Sequence, residues 1–214
     1  MLSSLLSLSV SHFELDVDPR SVSISFTFAP NEYFNNEVLQ KKFWYRQAKD
    51  GWSGLVSEPV KIDWKKDRDL TGGLLDLVVK AWEQESGKIS EKLTAEQMSL
   101  IKQIESTGMG GLSFFAWFGF IGRRISAAES VEATKAEAKA VADRKAGKKS
   151  DGCCDGDHAD GHAHGEGEDE EMEDLDLEMS LEIFPDGDDL AVAIAEDLWP
   201  GAIKYFSKLF FSHT

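Results

Sequence analysis

Residues 21–28 read Ser-Val-Ser-Ile-Ser-Phe-Thr-Phe, in which small polar and large apolar side chains alternate without a break. In a β-strand this alternation places Val22, Ile24, Phe26 and Phe28 on one face and the hydroxyl side chains on the other. One apolar and one polar face are typical of a strand in an antiparallel sheet that is covered on one side. We therefore expect residues 21–28 to be a strand of such a sheet.

Three further segments in the first 65 residues resemble this strand. Residues 13–17 and 60–64 alternate apolar with polar or charged side chains, and residues 38–46 form a run rich in aromatic residues. Turn-forming pairs separate the segments, among them Pro19-Arg20 and Asp50-Gly51. The sequence thus predicts a four-strand antiparallel meander.

Beyond residue 70 the apolar side chains recur with helical spacing. This spacing predicts helices around 74–82 and 93–104, and an Ala-rich helix between 126 and 144. The second and third helices begin with sequences that match a capping box, which are Thr94 with Gln97 and Ser126 with Glu129.

Residues 114–120 contain too many aromatic side chains for a half-exposed helix, so we expect this segment to be core rather than a partner groove. A short strand-like piece follows at 181–183, and Asp188 or Asp189 then caps a last helix that Pro200 interrupts. The prediction is one α+β domain, an antiparallel β-meander with helices packed on one side.

The negative charge is concentrated in one segment. The chain has 23 Lys and Arg against 39 Asp and Glu, a net charge of −16. Residues 151–178 hold thirteen of the acids and no Lys or Arg, so the other 186 residues carry only −3. Residues 147–178 also contain almost no large apolar side chains, and we expect them to form a disordered acidic loop before the last helix.

Composition argues against several functional classes. The acidity opposes direct nucleic-acid binding as the main activity. The longest apolar run has nine residues, fewer than the ~20 that a membrane span requires. The only two cysteines, Cys153 and Cys154, are adjacent and offer no disulfide framework. We expect an intracellular soluble protein, and the absence of a catalytic constellation predicts that it is not an enzyme.

Four blocks of sequence, in this order, resemble the nucleosome assembly protein family of histone chaperones. They cover roughly residues 12–207, and the ordered set is more specific than any one block. The blocks are Phe26-x-Phe28-x-x-Asn31-x-Tyr33-Phe34-x-Asn36-x-Val38-Leu39-x-Lys41-x-Phe43, Ser113-Phe114-Phe115-x-x-Phe118, the acidic run 166–178, and Ala191-x-x-Ile194-x-Glu196-Asp197-Leu198-x-Pro200-x-Ala202-x-x-Tyr205-Phe206.

The resemblance implies an earmuff-shaped α+β domain preceded by a long dimerisation helix. Residues 1–11 are too few for that helix, so we expect either a truncated sequence or an earmuff that lacks the usual dimer interface. A homodimer is left open. The predicted organisation is a short N-terminal segment (1–11), one earmuff-like domain (12–146 and 179–208) and the acidic loop (147–178).

The implied function is a histone chaperone that binds basic core histones, of either histone-fold pair, and promotes nucleosome assembly and disassembly. The alternative is a regulatory protein that binds a chromatin-modifying enzyme or a phosphatase. The implied location is the nucleus, with shuttling to the cytoplasm as an option. The candidate histone-binding residues are Glu182, Asp186, Asp188, Asp189, Glu196 and Asp197, with Glu168, Asp169, Glu170, Glu171, Glu173 and Asp174 of the loop.

Other motifs are better explained by structure than by binding. Asp188 and Asp189 would also be favourable as charges at a helix start, without any partner. The remaining candidates are a Cys/His set whose spacing matches no zinc finger, aromatic and Asn residues that we interpret as core and turn, and a basic stretch that fits a helix end or a nuclear localisation signal. We predict no metal and no cofactor. The Cys/His set is Cys153, Cys154, His158, His162 and His164. The aromatic and Asn residues are Asn31, Tyr33, Phe34 and Asn36, and the basic stretch is Arg144, Lys145, Lys148 and Lys149.

Overall fold

The computed structural model describes residues 2–85, 94–107, 113–145 and 181–205. The strands are β1 (Leu5–His12), β2 (Val22–Phe28), β3 (Val38–Gln47) and β4 (Ser53–Ser57). The helices are α1 (Leu74–Glu85), α2 (Ala95–Thr107), α3 (Ala127–Lys145) and α4 (Gly187–Val192), and α4 continues into a π-helical stretch, Ala193–Leu198. A 3₁₀ segment, Phe114–Gly119, lies between α2 and α3.

The strands form one antiparallel sheet in the order β1-β2-β3-β4. Phe26 of β2 lies opposite Leu8 of β1 and Leu39 of β3, so apolar side chains of three strands meet on one face. The four apolar side chains of β2 are all buried, and Gln40 and Lys42 on the opposite face are exposed. The α+β class and the antiparallel meander covered on one side are confirmed.

The 3₁₀ segment fills the space above the sheet. Trp117 and Phe118 are completely buried, and both rings lie 6.0 Å from the ring of Phe26. Phe43 of β3 approaches Trp117 to 5.3 Å. Aromatic pairs at such distances contribute about 0.5–1.5 kcal/mol each beyond simple burial. The prediction that this aromatic run is core is confirmed, with only Phe114 left partly exposed.

The first strand lies earlier in the chain than the sequence predicted. β1 is Leu5–His12, whereas residues 13–17 lead into a turn in which the carbonyl of Glu14 accepts hydrogen bonds of 2.8 Å from the amides of Val17 and Asp18. A strand at 13–17 is therefore wrong. Both segments alternate, but the eight residues of β1 form a longer ladder with β2 than the five residues 13–17 could. The predicted boundary after residue 11 is also too late, because β1 belongs to the sheet.

The fourth strand also differs from the prediction. Gly51 has φ +88°, a conformation that glycine adopts readily, and the chain reverses there so that Ser53–Ser57 pairs with β3. Residues 60–64 do not join the sheet as a fourth strand. Ile62 is buried under it, and Trp64 forms an isolated bridge with Phe34. The alternation there reflects packing against the core rather than membership of the sheet.

The helix starts follow the predicted capping chemistry. The amide of Gln97 donates to Thr94 Oγ1 at 3.2 Å, and the Thr94 amide donates to Gln97 Oε1 at 2.7 Å. At the start of α3 the Glu129 amide donates to Ser126 Oγ at 3.1 Å. Within the described ranges, no helix is long and apolar enough to cross a membrane. The predicted acidic loop, 147–178, lies outside the described residues.

Candidate functional site

Residues 181–184 pack in the core, directly before the candidate acidic helix. Leu181 and Ile183 are buried, so the side chain between them, Glu182, lies against the protein rather than in open solvent. Glu182 Oε2 accepts hydrogen bonds from the amides of Ile121 (2.9 Å) and Gly122 (3.1 Å), and Oε1 accepts one from Phe184 (3.2 Å). No strand forms at 181–183, contrary to the prediction.

This geometry gives Glu182, which was predicted to bind a partner, contacts within the fold. Its carboxylate ties the end of the 3₁₀ segment to residues 182–184, and its hydrogen-bonding capacity is used by backbone amides. Burial raises the pKa of the Glu182 carboxyl, although the three amide hydrogen bonds act in the opposite direction. The sequence did not indicate these backbone contacts of Glu182. An acid between two apolar residues is equally expected at an exposed position of a strand.

Lys41 binds the other side of the same backbone segment. It is completely buried, and Nζ donates to the carbonyl oxygens of Glu58 (2.7 Å), Phe118 (3.0 Å) and Phe120 (2.6 Å). Burial lowers the pKa of the Lys41 ammonium group from 10.5 to about 7. The Lys41 amino group and the Glu182 carboxylate thus bind the carbonyls and the amides of residues 118–122, the segment against which α4 packs.

The helix α4 is anchored at its first residue. Trp117 Nε1 donates to the carbonyl of Gly187 at 2.8 Å, and a Cβ at Gly187 would lie 2.4 Å from the ring of Phe120. Asp186 occupies the position before the helix, but its side chain forms no capping hydrogen bond. The prediction that Asp188 or Asp189 caps the helix is wrong, because both lie in its first turn.

The acids of this segment differ in exposure. Asp186, Asp189, Glu196 and Asp197 are exposed, and Asp188 is half-buried. The ion pairs found between residues in the described ranges involve other acids than these five.

Pro200 interrupts the helix that carries Glu196 and Asp197. Proline has no amide hydrogen, and the helix widens before it, so that the Trp199 amide donates to Ile194 O, five residues back, at 2.9 Å. The predicted interruption at Pro200 is confirmed. The chain then turns at 199–201 and becomes helical again at 202–205, where the Tyr205 hydroxyl donates to Asp197 Oδ2 at 2.7 Å. That carboxylate raises the pKa of the Tyr205 hydroxyl.

Large apolar side chains follow these acids in the sequence. Leu198, Trp199, Ile203 and Tyr205 are all exposed. We use the name acidic-apolar face for the segment 196–205, which also contains the exposed Lys204, together with Asp188, Asp189 and Val192. The sequence contained a signal of this exposure. Trp199 and Ile203 lie on either side of Pro200, and they do not continue the spacing of Leu190, Ile194 and Leu198.

Exposed carboxylates attract Lys and Arg side chains, with about 1 kcal/mol or less for each pair, and several together steer a basic partner toward the face. Among the described residues, no group of three or more His, Cys, Asp or Glu is arranged to hold a metal ion.

The remaining candidates fall into two groups. The loop acids Glu168 to Asp174, the Cys/His set at 153–164, and Lys148 and Lys149 lie outside the described residues.

The interpretation of the Asn31 motif as turn and core is confirmed. Asn31 Oδ1 accepts from the amides of Tyr33 (2.9 Å) and Phe34 (3.1 Å), and Phe34 is buried. Asn36 Oδ1 accepts from the Asp63 amide at 2.8 Å.

Comparison with known proteins gives one match over most of the chain and several partial ones. A family described as "Nucleosome assembly protein (NAP)" matches residues 1–209. Nucleosome assembly protein 1-like 3 of Pongo abelii is 38% identical over 61 residues, which are 25% of this chain and 12% of that protein. The Rattus norvegicus protein of the same name is 36% identical over 61 residues, covering 25% of this chain and 11% of that one.

Two solved structures are similar over a longer range. The crystal structure of Ccp1 shares 22% identity, with a TM-score of 0.44, and the comparison covers 97% of this chain and 62% of that one. The crystal structure of Vps75 shares 20% identity, with a TM-score of 0.45, over 97% of this chain and 65% of that one. The chain therefore spans under two thirds of the length of these relatives.

Proposed function

The chain belongs to the nucleosome assembly protein family, and from this membership we propose that it is a histone chaperone that binds core histones and promotes nucleosome assembly and disassembly. The observation that carries the proposal is the family match over residues 1–209. The family is non-enzymatic, and we assign the chain no catalytic activity.

The exposed carboxylates support the proposal. Asp186, Asp189, Glu196 and Asp197 form no ion pair with another described residue. Histones carry many Lys and Arg side chains, and such carboxylates compete for them with the phosphates of DNA. The acids at 168–174 would add a high density of negative charge, since residues 151–178 carry thirteen acids and no base. We propose that both sets contact histones, and that Glu182 does not.

The proposed place of action is the nucleus, where histones meet DNA. The end of α3 carries Arg144 and Lys145, both exposed, and the sequence continues with Lys148 and Lys149. A cluster of this composition is compatible with a nuclear localisation signal.

The test is competition between the full chain and DNA for purified histones. We expect the chain to bind each histone pair with an affinity that falls as salt rises, and to displace histones from non-specific DNA at physiological salt. Glu196→Gln with Asp197→Asn should weaken binding about fivefold and make it less dependent on salt. A chain that leaves histones on DNA at every concentration would contradict the proposal.

A matched control removes the same charge elsewhere. Asp16 lies in the turn after β1 and Glu83 lies in α1, and both are exposed. Asp16→Asn with Glu83→Gln lowers the negative charge by the same amount as the acidic-face pair. If the control weakens histone binding as much as Glu196→Gln with Asp197→Asn, net charge rather than the acidic-apolar face is responsible.

A further inference from the structure

Ser126 follows two arginines in the segment that leads from the aromatic core into α3. The sequence there reads Arg123-Arg124-Ile125-Ser126, which places basic side chains two and three residues before a hydroxyl. Protein kinases select their substrates by charge pattern, and a kinase with an acidic substrate groove binds basic residues at these two positions. The segment therefore has the composition of a phosphorylation site.

The structure leaves the hydroxyl of Ser126 accessible. Ser126 is exposed, and residues 124–126 form neither helix nor strand, so the segment can take the extended form that a kinase binds at a small cost. Arg123 pairs with Asp50 at 2.8 Å near the surface, and such a pair exchanges readily for the acids of a partner. Ile125 is buried, so binding also requires a local opening of this loop.

A cavity of about 600 Å³ lies beside Ser126. Its lining includes Ser126 and five charged residues, which are Arg46, Arg123, Arg124, Glu58 and Glu129. Arg46 and Arg123 also pair with Glu14 and Asp50. A phosphate on Ser126 has a larger charge than a carboxylate and three acceptor oxygens, so it competes with these acids for the arginines.

Arg46 supplies this cavity with hydrogen-bond donors that the fold leaves available. It is 6% exposed, and its hydrogen bonds to described residues come from Nη1, at 3.1 Å to Glu14 Oε2 and at 3.2 Å to the carbonyl of Tyr45. A guanidinium group has five N–H donors. The donors on Nε and Nη2 therefore have no acceptor among the described residues, and an anion in the cavity can accept from them.

The start of α3 favours a negative charge at the same oxygen. Ser126 Oγ accepts from the amide of Glu129 at 3.1 Å, and the Ser126 carbonyl accepts from the amide of Ser130 at 3.0 Å. The first turn of this 19-residue helix has amides without carbonyl partners and a partial positive charge. A phosphate on Ser126 can accept the same amide hydrogen bond with a larger charge.

We propose that Ser126 is phosphorylated by a protein kinase that binds basic residues, and that the arginines of the adjacent cavity hold the phosphate. Ser126 Oγ bonds to the γ-phosphorus of ATP, the bond from that phosphorus to the bridging oxygen breaks, and ADP leaves. The hydroxyl proton passes to the catalytic base of the kinase. The modification fixes the loop 121–125 to the start of α3, and it does not depend on the proposed function.

Phosphorylation of the folded full chain tests the site. The chain and a peptide of residues 119–130 are incubated with Mg-ATP and a kinase that prefers arginines two and three residues before serine, and mass spectrometry maps the phosphate. We expect Ser126 of the chain to be modified within about tenfold of the peptide rate, because the loop opens locally. Arg123→Gln with Arg124→Gln should slow both reactions about 100-fold.

Thr71 is the matched control within the same chain. Arg68 precedes it by three residues, but Thr71 is 5% exposed and its hydroxyl donates to Asp69 Oδ1 at 2.6 Å. It should stay unmodified. Equal phosphorylation of Thr71 and Ser126 would show that the kinase binds an unfolded chain, and it would overturn the proposal. Modification of the peptide but not of the folded chain would overturn it as well.

Thermal unfolding tests the place of the phosphate. The phosphorylated chain should have a Tm about 2–4 °C above that of the unmodified chain, because the phosphate gains bonds to arginine and to the helix start. Arg46→Met should remove most of this gain, measured as the difference between the two forms of the same variant. Arg68→Met, at an exposed arginine outside the cavity, should leave the gain intact.

Arg124→Met replaces Arg46→Met if that variant does not fold. No gain in Tm, or a gain that Arg46→Met leaves unchanged, would overturn the placement of the phosphate in the cavity.

Discussion

Lys41 Nζ donates a hydrogen bond of 2.6 Å to the carbonyl oxygen of Phe120, across 79 residues of chain. With its bonds to Phe118 and Glu58, the ammonium group uses all three of its hydrogens on backbone carbonyls. The lysine thereby fixes the aromatic 3₁₀ segment to β3, and Phe120 in turn contacts Gly187 at the start of α4. A buried lysine in the sheet thus helps to position the segment that carries the acidic-apolar face.

Replacing Lys41 with Met should destabilise the fold. Methionine matches the length of the side chain but leaves three carbonyls with one hydrogen bond fewer each, at a cost of about 2–4 kcal/mol. The free energy of unfolding in urea measures the loss. Lys61→Met, at an exposed position in the segment after β4, is the control and should change the stability by less than about 0.5 kcal/mol.

The contribution of Lys41 should depend on pH. Its pKa is about 7 in the folded chain and 10.5 in an unperturbed lysine, so between these values the unfolded chain binds more protons. Stability therefore rises with pH in this window, by up to roughly 1.4 kcal/mol for each unit of pKa difference. The free energy of unfolding of the wild type minus that of Lys41→Met should increase from pH 7 to pH 10. A difference that stays constant would show that Lys41 keeps an ordinary pKa.

Glu182→Gln should affect stability and not histone binding. The amide has one acceptor oxygen where the carboxylate has two, so it satisfies fewer of the three backbone amides, and we expect a loss of about 1–3 kcal/mol. Histone affinity of the folded variant should equal that of the wild type. Glu196→Gln with Asp197→Asn should show the reverse. Weakened histone binding by folded Glu182→Gln would return Glu182 to the binding surface.

The pH dependence at Glu182 has the opposite sign to that at Lys41. Its pKa is raised in the folded chain, so above 4.5 the folded chain holds the proton that the unfolded chain has lost. The stability of the wild type relative to Glu182→Gln should therefore fall as pH rises from 4.5 through the raised pKa, and become constant above it. Denaturation at a series of pH values between 4 and 9 measures both ends of the window.

Gly187→Ala should detach α4 from the core. The added Cβ would lie 2.4 Å from the Phe120 ring, so the helix must shift and the bond from Trp117 to Gly187 O must lengthen. We expect a loss of about 1–3 kcal/mol and weaker histone binding through misplacement of the face. Gly72→Ala is the control, because its Cβ would meet nothing within 4 Å and only its φ of +62° is unfavourable. It should cost about 1 kcal/mol and leave binding unchanged.

Local chemistry in the sequence predicted much of the fold. The unbroken alternation of residues 21–28 identified the second strand of the sheet, and Thr94 with Gln97 and Ser126 with Glu129 identified two helix starts, because strand faces and caps depend on neighbouring residues. Residues 13–17 show where this approach fails. They alternate as a strand does, but only pairing with β2 decides which segment joins the sheet.

The sequence by itself determined the antiparallel meander, the aromatic core segment, the family resemblance and the concentration of acids in 151–178, because these depend on side-chain type and spacing. The tertiary structure decided which charges are free to act. Lys41 and Glu182 resemble surface residues in the sequence, yet both bind the backbone of residues 118–122. Glu196 and Asp197 are exposed, as are Leu198 and Ile203, because the core of the described residues ends at Ala195. Burial arises from contacts between distant segments, so only the folded chain could separate buried charges from exposed ones.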